Sequence, residues 1–171
     1  DDGPAYPRSP IRSIGHNRTS ARGRALAMPW PLAKITAVMD LHSLVLPFSV
    51  AIGAALGGVA RYGVSGLIAR GFGETFPWGT LVVNVVGSFL IGLIAVVTGP
   101  DSRLLVGTAA RQFMMVGVLG GFTTFSSFSL QTLTLIQDGE WLYAAGNVLS
   151  SVLLCLIAVW LGAVAGNVMN G

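Results

Sequence analysis

Gly120-Gly121-Phe122-Thr123-Thr124-Phe125-Ser126-Ser127-Phe128 is a polar, hydroxyl-rich patch set inside a long apolar stretch. From Gln112 to Gln137 no residue carries a charge, so the segment is long enough to cross a bilayer, which takes roughly 20 mostly apolar residues. Paired glycines followed by consecutive threonines and serines predict irregular backbone near the middle of that crossing. Bare peptide groups at such depth persist only where protein or a water-filled cavity satisfies them. The expectation is a helix broken mid-span and lining a site.

Working outward, the rest of the chain is equally apolar. It is 53% hydrophobic and 10% charged, with a mean hydropathy of +0.72, against roughly 25% charged for an ordinary soluble domain. Four spans are predicted, from about Leu44 to Ala69, Trp78 to Thr98, Leu104 to Ile136 and Trp141 to Val168. Gly- and Pro-containing connections at 70–77, 99–102 and 137–140 are turn signals short enough to force neighbouring spans antiparallel. Trp78, Trp141 and Tyr143 fall at span ends, where amphipathic rings favour the headgroup layer. Gly53 with Gly57, Gly117 with Gly121, and Gly162 with Gly166 are small-xxx-small pairs that let helices approach closely. The fold class expected is an all-α membrane protein of four transmembrane helices, and 171 residues are few enough that a transport pathway needs more than one copy.

Residues 1–43 are rich in Arg, Ser, Pro and Gly and are expected to form a disordered basic extension ahead of the four-helix unit at 44–171. That extension holds Lys+Arg 6 against Asp+Glu 3, whereas the body holds 4 against 4, so the whole net charge of +3 lies in the extension. No basic face remains in the body for nucleic acid. Cys155 is the only cysteine, which excludes an intrachain disulfide.

The placement of acids excludes several function classes. Glu74, Asp101, Asp138 and Glu140 lie in connections, and both histidines, His16 and His42, precede the first span. Acid/base catalysis, a side-chain metal site and a Ser-His-Asp arrangement lack their residues within the bilayer, so the chain reads as no enzyme. A proton-coupled exporter needs an intramembrane acid, and the spans contain none.

Neutral polar groups at helical spacing remain. Thr80, Asn84 and Ser88 stand four apart on one face of the second span. Asn84 has two readings, glue between helices or a donor in a pathway. Phe125 and Phe128 share a face of the third span among the hydroxyls of Thr124, Ser126 and Ser127. Because a ring has a positive edge, such a pair beside an amide donor coordinates an anion without fixed charge. On the fourth span Asn147 and Ser151 either extend a polar track or satisfy one another. Arg61 and Arg111 are expected to snorkel toward the membrane surface.

Gly57-Gly58-x-x-Arg61-Tyr62, Gly79-Thr80-Leu81-x-x-Asn84-x-x-Gly87-Ser88-Phe89 and the Gly120–Phe128 stretch, in that order, resemble the Fluc (CrcB-type) fluoride channels from about Leu44 to the C-terminus. The resemblance implies a subunit that dimerises antiparallel with dual topology, either with itself or with a paralogous subunit, in the cell membrane. It implies two fluoride pathways along the interface and a central structural sodium ion. Carried over by position, Phe125 and Phe128 match the aromatic box and Asn84 the pore asparagine. Gly120 and Thr123 match the positions whose carbonyls hold sodium, and Ser127 stands where threonine is more usual. Asn147 takes a position often given to tyrosine, and Thr80, Thr124, Ser126 and Ser151 complete the expected pathway.

The chemistry agrees with the resemblance. Fluoride is small and strongly hydrated, so a selective pore replaces its water with amide, hydroxyl and ring-edge donors, while a fixed cation would hold the ion too well for it to leave. A small multidrug exporter of similar size is the alternative and wants an acid in the first span. A membrane assembly subunit is a third reading and leaves the hydroxyl-Phe patch without a purpose.

Overall fold

The computed structural model describes residues 41–73, 75–100, 102 and 104–171, and every regular element among them is helical. The basic extension falls outside the described residues up to position 40. In chain order the elements are α1 (Leu41–Phe72), α2 (Trp78–Val97), α3 (Thr108–Gln112), a π-helical stretch (Phe113–Leu119), α4 (Gly120–Phe122), α5 (Phe125–Gln137) and α6 (Trp141–Asn170). The run from α3 to α5 forms one span, Thr108–Gln137, and with Leu44–Phe72, Trp78–Val97 and Trp141–Asn170 gives four helices long and apolar enough to cross a membrane.

The third span starts at Thr108 rather than near Leu104. An apolar run reads alike in hydropathy whether helical or extended, and here the hydroxyl of Ser102 stands between the carbonyls of Gly99 (2.8 Å) and Leu104 (2.9 Å), its one proton shared between them, which knots the connection into a turn. Helix resumes only past Gly107, whose backbone is extended.

The first span packs chiefly on the third and the second chiefly on the fourth. Glycine makes both approaches possible. A Cβ at Gly57 would collide with the carbonyl oxygen of Val118 in the π-helical stretch, and one at Gly162 would collide with that of Phe89. Close backbone approach of this kind is what holds helices together where lipid removes the hydrophobic drive between them.

The third span is interrupted, though not at its glycines. Gly120 is helical (φ −64°, ψ −36°), whereas Thr123 (φ −81°, ψ 156°) and Thr124 (φ −152°, ψ 113°) are extended. Gly121 serves instead to seat the span against Ala54, whose carbonyl a Cβ would strike. The interruption is two residues long and the span bends only slightly across it. Just ahead of it, Phe113–Leu119 is wound as π-helix, a local form that recurs at functional sites and has no signature in the composition.

Candidate functional site

Two extended residues inside a bilayer span leave backbone groups that must be satisfied without water. Asn84 on α2 meets Thr124 on both sides: its Nδ2 donates to the Thr124 carbonyl at 3.0 Å, and the Thr124 N–H donates to its Oδ1 at 2.8 Å. The side-chain amide thus replaces a peptide partner, and one of its two N–H bonds is left over. Arg61 on α1 donates from Nη1 to the Thr123 carbonyl at 3.3 Å. It does not snorkel, because the freed carbonyl of the break offers its guanidinium an acceptor within the protein. Arg111 donates from Nε to Thr98 Oγ1 at 3.2 Å, tying the third span to the end of the second.

Thr124 also caps α5. Its Oγ1 accepts from the Ser127 N–H at 3.2 Å and donates to Ser127 Oγ at 3.0 Å, with Ser126 Oγ 3.2 Å away. A hydroxyl has one proton, so when Thr124 spends its own on Ser127, Ser126 donates to Thr124 and the Ser127 proton stays uncommitted. The first-turn amides of α5 have no helical acceptor, and the positive end of the helix dipole lies here. The break therefore gathers donors while carrying no side-chain charge except that of Arg61.

Phe125 and Phe128 follow, their ring centroids 5.2 Å apart and their planes at 47°. Phe128 is 8% exposed and Phe125 is 77% exposed, so the pair straddles the surface of the chain. Two grooves meet at this point. The outer one, of about 1080 Å³, opens at the connections around Phe76 and Glu140 and is bordered by Arg61, Thr80, Ser127 and Gln131. The inner one, of about 450 Å³, is bordered by Asn84, Ser88, Phe125, Phe128, Ser151 and Cys155. Thr124 borders both.

Of the residues singled out in the sequence, Thr80, Thr124 and Ser127 border the outer groove, and Asn84, Phe125, Phe128, Ser151, Gly120 and Thr123 the inner. Ser126 is exposed beside Phe125. Asn147 is buried and borders neither groove, pairing instead with Thr132. Sequence reasoning missed Arg61 as a partner of the break, since that partner lies 62 positions away. It also missed Gln131, whose buried Oε1 has no hydrogen-bond partner among the described residues and whose only signal was an uncharged amide one helical turn past Phe128.

The family described as CrcB-like protein, Camphor Resistance (CrcB), matches residues 48–163, which include all four spans in whole or in large part. The chain belongs to the CrcB family. Relatives include the fluoride-specific ion channel FluC of Opitutus terrae, 63% identical over 121 residues that cover 71% of this chain and 92% of that protein. The FluC of Rhodospirillum rubrum is 60% identical over 121 residues (71% and 94%), and that of Magnetococcus marinus is 50% identical over 120 (70% and 96%). The CrcB match spans both grooves and the break, and this CrcB-family chain is a multi-pass membrane protein.

Proposed function

We propose that this chain is one subunit of a passive fluoride-selective channel that exports fluoride across the cell membrane and so relieves its toxicity in the cytoplasm. The observation that carries the reading is Thr124, which borders both grooves and so joins the hydroxyls of Thr80 and Ser127 to the amide of Asn84, the Phe125–Phe128 pair and Ser151. An anion moving along that line meets O–H, N–H and ring-edge donors that replace its water, with Arg61 the side-chain charge at the break and Arg70, Asp138 and Glu140 bordering the outer groove. The names of the relatives point the same way. No carboxylate lies in the spans to carry a proton, and nothing favours a small multidrug exporter.

Phe125 is too exposed to shape a pathway within one subunit. A second copy inserted the opposite way would cover it and close both grooves, giving two equivalent pathways; a homodimer is the simplest such assembly, and a paralogous subunit would serve equally. The carbonyls of Gly120 and Thr123, which border the inner groove, would be the ones to hold a structural sodium ion. Their i+4 amides, on Thr124 and Ser127, are turned to Asn84 and to the Thr124 hydroxyl, so Gly120 offers its oxygen without that helical donor, while the Thr123 oxygen accepts from Arg61 and has its second lone pair to give. When bound, the ion would supply charge that bridges the two breaks. Arg61, already on Thr123, would orient that carbonyl.

The test is fluoride efflux from proteoliposomes read by a fluoride electrode, with a potassium ionophore to discharge the membrane. Rapid efflux with chloride retained is expected, and retention of fluoride would overturn the reading. Replacing sodium by a large organic cation is expected to loosen the dimer on size exclusion, while efflux leaves an imposed sodium gradient standing. Collapse of that gradient together with fluoride would mark sodium as cargo.

A further inference from the structure

Asn147 on the fourth span is the most deeply buried polar side chain in the described protein, at 1% exposure. Its Nδ2 donates to Thr132 Oγ1 at 2.9 Å, and the Thr132 hydroxyl donates to the carbonyl of Phe128 at 2.8 Å. Thr132 has one proton and spends it on Phe128, so it can only accept from Asn147, and the direction of the relay is fixed. Ser151, at the inner groove, lies 3.4 Å from Asn147 Oδ1.

Hydroxyls that bond back to the carbonyl four residues earlier are common on helices and bend them slightly. On α5 Ser129 does so to Phe125, and Thr134 to Leu130. Thr132 alone of the three is gripped by another helix. Its place is informative. Thr124, Phe128 and Thr132 are spaced at i, i+4 and i+8, on one face, and each threonine is held by a carboxamide: Thr124 by Asn84 of the second span, Thr132 by Asn147 of the fourth. Phe128 sits midway in sequence between two residues held by amides from two different helices.

We infer that Asn147 is a positioning residue for the ion pathway: acting through Thr132, it sets the height and rotation of Phe128 against the inner groove, as the counterpart of Asn84 acting through Thr124. The inference rests on the reading of Phe128 as a pathway residue. Helix glue alone would lower stability wherever Phe128 pointed, so the experiment reads the ring itself. The full chain carries 4-fluorophenylalanine at position 128 and is followed by fluorine NMR, with the same label at Phe48 on the first span as a remote control. T132V, which keeps shape and loses the hydroxyl, and N147L are expected to shift or broaden the signal at 128 and leave that at 48 unmoved. T132S, which keeps the hydroxyl, restores the wild-type spectrum. In proteoliposomes T132V and N147L slow fluoride efflux about tenfold, each and together alike, as expected for two ends of one buried hydrogen bond. An unmoved signal at 128 in T132V overturns the inference, even if N147L fails to fold. A wild-type protein that retains fluoride would instead overturn the channel reading, while the spectra still decide whether Asn147 positions Phe128.

Discussion

At the scale of single residues, the two phenylalanines differ more than their shared motif implies. Phe128 is packed inside the chain's own helices and Phe125 projects from them, so their replacement has different structural costs. Phe125→Ile and Phe128→Ile are both expected to slow fluoride efflux about fivefold by removing a ring edge worth roughly 1 kcal/mol. Phe128→Ile alone should also lower the melting temperature of the detergent-solubilised subunit. Wild-type efflux from both would remove the rings from the pathway. Asn84 serves two ends at once, because its Oδ1 and Nδ2 satisfy the backbone of Thr124 while one N–H is left over. Asn84→Asp keeps the acceptor, loses both amide donors and sets an oxygen against the Thr124 carbonyl. It should abolish efflux and destabilise the protein by about 1–3 kcal/mol, measurable by thermal unfolding. The sequence leaves glue and pathway as alternatives for Asn84, and the structure gives the glue a specific object that no local pattern could name, because Thr124 is 40 positions away.

At the scale of elements, what is legible in the sequence is whatever local composition dictates. Spans follow from hydropathy and connections from Gly, Pro and Asp, so the second and fourth helices begin at Trp78 and Trp141, where the tryptophans place them. The break is legible too, but a few residues from where it lies. Glycine reads as conformational freedom, whereas Gly121 provides close approach to Ala54, and the helix stops where Thr124 can cap its successor and Asn84 can take its peptide. The π-helical stretch is invisible in the sequence, since it follows from how the third span fits its neighbours. The second and fourth spans meet through Gly162 against the Phe89 carbonyl. Gly162→Val should therefore force these helices apart and cost upward of about 2 kcal/mol, read as a lower melting temperature. An unchanged midpoint would mean the two helices can separate freely.

At the scale of the whole molecule, the basic residues bear on orientation. Arg70 lies in the last turn of the first helix and Arg103 in the second connection, one basic residue after each of two successive spans, so the positive-inside bias of the body is expected to be small. A chain shortened to begin near Asp40 is expected to insert both ways and form a functional dimer alone. The full chain, with six basic residues ahead of the first span, is expected to favour one orientation. A single cysteine introduced in the third connection, with Cys155 removed, would be labelled from both sides of the membrane in the shortened chain; labelling from one side only would call for a partner subunit of opposite orientation. The ties of the break also bear on how the protein is made. Arg61 and Asn84 both precede Thr123 and Thr124 in the chain, so when the least apolar of the four spans leaves the ribosome, the groups that relieve its bare peptides are already in the membrane. Asn147 is synthesised afterwards and closes on Thr132 last. Order of synthesis thus matches order of need, and a circular permutant that delivers the third span first would have to hold two unsatisfied residues in hydrocarbon until its partners arrive.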